Sequence, residues 1–404
     1  MDDNLESDPA MMLFSPEAAD RPHVPYRYLL EKCPVARSDG GSVSGEPGGS
    51  VLISGFEDLH WAFKHPEYIS SEEAVAIGND RPLIPLQIDP PGHAKYRRLL
   101  DPQFSPKKMA ALEPDFRVLV NQVIDTFIER GECDFHEDFA TPIPSTFFLR
   151  LTGLPLTDLP VFLQWRDNII RPDVAPGDFD AAAAIRADTG KQIYAYFESA
   201  FDEREAQRDD GLLSRLLDAE VEGMRLTREE LLDICYLLII AGLDTVTATL
   251  DCMIHRLATH PHERQRLVDD PSLSHAVVEE LLRFETPVMV VARTVKQDVT
   301  LRDVELRAGD MVTMVIGAGN LDDVEFAHSD TVDFDRGRNR HLAFGAGPHR
   351  CLGSHLARLE VRVALEEWHR RIPNYRVADG ADFHFSAGIR QANTLPLVFG
   401  DATS

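Results

Sequence analysis

A formal net charge of −26 over 404 residues excludes nucleic acid and anionic membrane surfaces as natural partners of this chain. With 44% hydrophobic and 27% charged residues it has the composition of a globular protein able to bury a large core, and no apolar run is expected to span a bilayer. The opening MDDNLESDPAMMLF has no basic start and no signal-like apolar segment, so a cytoplasmic protein is expected.

In chain order, residues 22–33 (PHVPYRYLLEKC) read as a helix and 50–54 as a strand, with the Gly/Ser-rich 38–50 between them as a hairpin loop. Helical patterns then dominate: 57–65, 93–101, 107–130, 136–152, 157–170, 178–207, 211–218, 227–259, 261–268, 273–285 and 354–371. Strand-like runs cluster at 290–315 and 376–399. No internal repeat or linker divides the chain, so a single domain over 1–404, mainly α with small β-sheets, is expected. The longest helix opens on a capping box, Thr227 to Glu230, and stops at His260-Pro261. It would run for about 50 Å. Its middle, CYLLIIAGLDTVTATL, is apolar on every side and therefore buried, a natural wall for a cavity.

Five cysteines, at 33, 133, 235, 252 and 351, form no CxxC pair and no zinc spacing, and four are expected to be small buried hydrophobes. Cys351 differs. It stands in Phe344–Gly353, FGAGPHRCLG, immediately before an amphipathic helix, where the helix dipole favours a thiolate over a thiol. Such a thiolate is a nucleophile or a metal ligand. Gly345, Gly347 and Gly353 leave the backbone bare around it, so a large flat group can approach.

The stretch resembles, position for position, the cysteine-ligand loop of the cytochrome P-450 family of haem-thiolate monooxygenases. The resemblance implies haem b, axially ligated by the Cys351 thiolate and lying between a long distal helix and the proximal loop and helix, with Phe344, Gly345 and Gly353 at the haem. Ala241-Gly242-Leu243-Asp244-Thr245 resembles the family's oxygen-activating segment. Ala241 and Gly242 would then let O2 sit against the helix, while Asp244 relays protons from solvent and the Thr245 hydroxyl holds a water. Asp89-Pro-Pro-Gly-His93-Ala-Lys-Tyr-Arg97 resembles the segment whose His and Arg bind a haem propionate, and Arg293 and His349 match further propionate partners. Glu280 and Arg283, one helical turn apart, resemble the family's Glu-x-x-Arg pair. Its third member, counted from Phe334-Asp335, would be Arg338, although the usual preceding proline is missing.

Segments such as GECDFHEDFATPIPSTFFLRLTGLP are similar to the soluble bacterial branch that includes the camphor monooxygenase. That implies electrons from NAD(P)H through a reductase and a ferredoxin, and a compact apolar substrate such as a terpenoid or steroid. The chain itself holds no flavin fingerprint and no iron–sulfur cysteine set. Lys95, Arg98, Lys107, Lys108, Arg340, Arg350, Arg358 and Arg362 form a candidate docking patch for that acidic donor on the proximal face. Ala74 to Leu86, the region near 165–180, Leu238 to Ala241, Val288 to Val291 and Ile389 would line the distal cavity. Within the first of these, Asn79, Asp80 and Arg81 are polar anchors or, the reading we favour, a solvent-facing loop tip. The competing functions are a peroxide-using haem-thiolate enzyme, against which Asp244 and Thr245 argue, and a non-catalytic haem sensor. A cysteine hydrolase lacks a base and orienter near Cys351.

Overall fold

The computed structural model describes residues 12, 13, 15–38, 50–72, 79, 81–175 and 177–400. Helices dominate and the sheets are small, as expected. Val35–Ser38 and Ser50–Ile53 pair antiparallel from Val35 opposite Ile53 to Ser38 opposite Ser50, which agrees with a hairpin there, although residues 39–49 lie outside the described residues. Met311–Met314 runs parallel to Ser50–Ile53 and antiparallel to Val291–Val295, and Ile69–Ser70 closes the five-stranded sheet beyond it. This sheet carries Arg293 and Ser70 toward the site described below. Tyr375–Val377, Pro396–Phe399 and Glu132–Asp134 form a second, antiparallel sheet.

Proline accounts for the interruption of two expected helices. The 107–130 pattern resolves into Pro106–Ala110 and Glu113–Asp125, with Pro114 in the first turn of the second piece, where its missing N–H costs nothing. The 136–152 pattern becomes a wide turn at His136–Ala140 followed by Pro142–Thr152.

The long helix keeps its predicted cap. Thr227 Oγ1 accepts the Glu230 N–H at 3.2 Å, and Glu230 Oε2 accepts the Thr227 N–H at 2.8 Å. It runs to Thr259 but breaks at Asp244, giving Arg228–Leu243 and Thr245–Thr259. By length and composition these 32 residues could cross a bilayer, which corrects the expectation of no such run. They are instead the central helix of the core, packed against other helices over most of their surface.

The largest buried cluster gathers around Trp368, whose ring meets Phe135 edge-on at 4.9 Å and Phe139 at 5.0 Å. Trp368 belongs to the helix Ser354–Arg371 that follows Cys351, so this packing anchors the helix on which the cysteine loop ends.

Candidate functional site

The cysteine loop is shaped by two left-handed glycines, Gly345 at φ +65° and Gly347 at φ +66°. A Cβ on Gly347 would fall 2.2 Å from the Phe63 carbonyl oxygen, so both its backbone angle and its packing on the helix Phe56–Lys64 demand glycine. Inside the loop, the Gly345 N–H donates to Leu342 O at 2.7 Å and the Cys351 N–H to Phe344 O at 2.9 Å. The Phe344 ring lies under the Arg358 guanidinium, 4.3 Å from its centre. Cys351 is the exposed one of the five cysteines, while Cys133, Cys235 and Cys252 are buried and Cys33 is half-buried. Its sulfur nevertheless sits deep within protein. That desolvation raises the thiol pKa, outweighing the Gly353 N–H and the charges of Arg97, Arg358 and Arg350. The expected dipole-driven thiolate is thus corrected for the chain alone: a thiolate here needs a cation as partner, as a metal would supply.

Along the central helix, Leu237, Ala241 and Thr245 recur at i, i+4, i+8 with Leu238 and Gly242 beside them. All five are partly open or exposed while Ile239, Leu243 and Val246 between them are buried. One face of an otherwise buried helix is therefore left bare. Gly242 also serves packing: a Cβ there would lie 3.3 Å from the Phe148 ring, so glycine brings the helix against Pro142–Thr152. The Thr245 hydroxyl donates to Ala241 O at 2.9 Å.

Asp244 is 0% exposed and held by Arg171, Nη2 to Oδ1 at 2.6 Å and Nη1 to Oδ2 at 3.1 Å, with Arg166 Nε at 3.9 Å. It has no direct path to solvent, so the expected relay must pass by Arg171, which is 33% exposed. Arg166 and Arg171 escaped the sequence reading. The signal was present in LPVFLQWRDNIIR, two arginines set in a buried apolar helix and its end.

The four expected propionate partners divide into two kinds. Arg293, 8% exposed, makes one hydrogen bond, to the Ala292 carbonyl at 2.7 Å, and burial without an adequate anion pulls its pKa down to about 10 despite Asp89. His93, 4% exposed, leaves Nε2 without a partner, and burial, then His349 and Arg97, push its pKa down to about 4. These two are buried donors short of an acceptor. His349 and Arg97 are engaged already. His349 Nε2 lies 3.2 Å from Asp89 Oδ1 and 3.1 Å from Ser71 Oγ, with its ring 4.4 Å from that of His93. Burial opposes ionisation of Asp89, but the hydrogen bonds from His349, Ser70 and Ser71 win and hold its carboxyl below the ordinary range. Arg97 donates to Asp101 Oδ1 and to the Arg350 carbonyl, both at 2.7 Å, so it braces the cysteine loop from outside.

A haem fits these residues: an accessible sulfur set within protein, a bare apolar helix face for a flat macrocycle, and buried Arg293 and His93 donors for its anionic edge.

Glu280 and Arg283 are both fully buried. Arg283 Nε and Nη2 grip the carboxylate at 2.9 and 2.7 Å, and its remaining N–H groups reach the carbonyls of Asn320, Ser329 and Thr331, each at 2.9 Å. The third member is Arg336, with Nε 3.2 and 3.1 Å from the two Glu280 oxygens, and not Arg338. The count from Phe334-Asp335 went wrong because the chain turns at Asp333, where the Arg336 N–H donates to Asp333 O at 3.1 Å, and this brings the earlier arginine back to Glu280.

The expected docking patch is smaller than its sequence. Arg340 is paired with Glu325, Arg358 with Glu279, Arg362 with Glu113 and Glu366, Lys95 with Glu230, and Arg98 with Glu222. Lys107, Lys108 and Arg350 have no carboxylate partner among the described residues. In the distal segments, residues 73–78 and Asp80 lie outside the described residues, which leaves much of Ala74 to Leu86 open. Asn79 and Arg81 are not a free loop tip. Arg81 Nε donates to Asp233 of the central helix at 2.9 Å and stacks 4.8 Å over Tyr194, and Asn79 Nδ2 donates to Arg81 O at 2.8 Å. Val288 is bridged to Ile389, and both are partly open.

Residues 162–371 match the family model described as Cytochrome P450. The chain is 32% identical over 382 residues to a steroid C26-monooxygenase of Mycolicibacterium smegmatis, covering 93% of this chain and 92% of that one. It is 31% identical over 373 residues to a methyl-branched lipid omega-hydroxylase of Mycobacterium bovis, covering 89% and 86%. Among solved structures, a Bacillus megaterium P450 in complex with corticosterone superposes with a TM-score of 0.84 at 26% identity, covering 95% of this chain and 99% of that one.

The corrected triad has a measurable consequence. Arg336→Ala leaves one side of a buried carboxylate unmet and should lower the unfolding free energy by about 1–3 kcal/mol, whereas Arg338→Ala should change it by less than about 0.5 kcal/mol. Urea unfolding of the two variants side by side checks this.

Proposed function

The chain belongs to the cytochrome P450 family of haem-binding monooxygenases, and from that premise we propose that it inserts one oxygen atom of O2 into a compact apolar small molecule of the terpenoid, steroid or lipid kind. The proposal treats residues 1–404 as one domain working in the cytoplasm, with no nucleic acid or membrane partner. The observation that supports it is Cys351, the exposed one of the five cysteines, held in a glycine-shaped loop, while Cys133, Cys235 and Cys252 are buried and Cys33 is half-buried.

When bound, haem supplies the redox chemistry: two electrons and two protons reduce O2 so that one oxygen atom enters the substrate and the other leaves as water. Cys351 would hold the haem iron through its thiolate, and Phe344, Gly345 and Gly353 would shape the backbone around it. Arg293 and His93 would take the propionates, relieving the unmet charge of one and the unpartnered ring nitrogen of the other. His349, locked on Asp89, and Arg97, locked on Asp101 and the Arg350 carbonyl, hold the pocket edge in place. Thr245 Oγ1 donates to Ala241 O and keeps lone pairs toward the bare helix face, where it can hold a water and hand on its proton. Asp244 replaces that proton after loosening from Arg171, the group that links its buried carboxylate to the surface. The apolar character of Leu238, Ala241, Val288, Val291 and Ile389 supports a substrate held by shape. The names of the steroid and lipid hydroxylases it resembles point the same way. Electrons come from NAD(P)H by way of a reductase and a ferredoxin whose acidic surface meets Lys107, Lys108 and Arg350 beneath the cysteine.

Three measurements test this reading. Reduced holoenzyme with carbon monoxide should show the red-shifted band of thiolate ligation, lost in Cys351→Ser and kept in Cys133→Ser; a colourless protein after haem supplementation overturns the proposal. Asp244→Asn should retain that band while donor-supported turnover falls about 10²–10⁴-fold; unchanged turnover with peroxide in place of donor would favour the peroxide-using alternative. Reductase-coupled turnover should fall steeply as salt shortens the Debye length below about 10 Å, and a flat salt profile counts against docking on the proximal cations.

A further inference from the structure

We propose that Asn320 is a positioning residue that sets where Cys351 stands, by tying the start of the cysteine loop to the C-terminal end of the helix Ser274–Glu285. The inference rests on Cys351 being the haem ligand.

Asn320 follows the short helix Ile316–Gly319 and is 0% exposed. Its side chain spans two elements: Nδ2 donates to Thr286 Oγ1 at 2.8 Å, and Oδ1 accepts the Leu342 N–H at 2.6 Å. The orientation of the amide is dictated by chemistry. A backbone N–H can only donate, so Leu342 must face Oδ1. The Thr286 hydroxyl donates its own proton to Arg283 O at 2.7 Å and is left to accept from Nδ2. The Asn320 carbonyl also accepts Arg283 Nη1 at 2.9 Å. One residue thus joins the buried ion pair, the capping residue of its helix and the first residue of the loop.

From Leu342 the order passes directly to the cysteine. Leu342 O accepts the Gly345 N–H, and Phe344 O accepts the Cys351 N–H, so the ligand residue hangs from the same tight turn that Asn320 anchors. Among the described residues, three side chains from outside the loop hydrogen-bond its backbone between Leu342 and Gly353, one of them the adjacent His341, whose Nδ1 accepts the Ala343 N–H at 3.2 Å. Arg97 reaches Arg350 O from a partly exposed position, and Asn320 reaches Leu342 N from the interior. Asn320 refers the loop to the core through Thr286, at the end of the helix Ser274–Glu285, and His341 does so through Glu279 within that helix. A carboxamide suits the place because it offers a donor and an acceptor without charge. Aspartate would lose the donor and bring a second carboxylate into the surroundings of Glu280, and glutamine would add a methylene to a closed site.

The test is the ligation state of the holoenzyme, not its activity. For Asn320→Asp, the ratio of thiolate-ligated to displaced carbon monoxide adduct, and the half-life of the ligated form, should each fall about tenfold. Thr286→Val removes only the Nδ2 acceptor and should give a smaller fall in the same direction. Phe197→Leu, on the helix Phe179–Ala206 with its ring against Phe162 and Tyr196, serves as the control for general loosening: matched to the first variants by melting temperature, it should keep the wild-type ratio. If Asn320→Asp does not accumulate as folded protein, Thr286→Val decides, and a wild-type ratio and half-life there overturn the proposal. So does a Phe197→Leu variant that loses ligation equally. Cys351→Ser separates the two readings: if it keeps the thiolate band, the assignment of the ligand fails and this inference with it; if it loses the band while Asn320→Asp and Thr286→Val retain theirs, only the inference fails.

Discussion

The guanidinium of Arg283 has five N–H donors, and the fold places all five on fixed acceptors in a fully buried site: two on Glu280 and one each on the carbonyls of Asn320, Ser329 and Thr331. A charge buried this deeply is tolerable only when every donor is met. The requirement works in reverse as a constraint on the chain, because three separated stretches must present carbonyls at the right places at once. Glu280 adds its own demands, accepting the Asp333 N–H, Arg336 and Asn339. The segment from Asn320 to Asn339 has little regular structure of its own, and this pair is what gives it a shape. Since that segment leads directly into Phe344–Gly353, the position of the cysteine depends on it.

The other side of the loop is set by contact rather than charge. Gly347 lies against the end of the helix Phe56–Lys64 so closely that any side chain would strike the Phe63 carbonyl. Between the two, the sulfur stands in a place that disfavours its own ionisation. Arg293 and His93 are in the same position, a buried cation lacking an anion and a buried ring lacking an acceptor. Each is unfavourable for the chain alone.

On the opposite wall, the central helix is continuous in sequence pattern yet breaks at Asp244, where a fully buried carboxylate is stabilised by Arg171 and, at longer range, Arg166. The break keeps Thr245 on the bare face and turns Asp244 away from it, toward the arginines. Two adjacent residues are thereby committed to different surroundings, Thr245 on the partly open face and Asp244 buried against the arginines.

The cysteine loop, the helix that follows it, the capping box at Thr227 and most helical spans were legible in the sequence, because each is encoded by neighbours a few residues apart: glycines that must turn, a cap three residues from its partner, apolar positions at helical spacing. Glu280 and Arg283 were legible for the same reason, being one turn apart. What the sequence could not carry is which distant group meets which. Arg336 replaces Arg338 because of a turn at Asp333; Arg97 and His349 turn to Asp101 and Asp89; most proximal cations are neutralised by carboxylates that are far away along the chain. Arg166, Arg171 and Asn320 have no local motif at all. Their roles arise from hydrogen bonds and burial across long separations, and only the folded chain, by excluding water from those contacts, decides what they do.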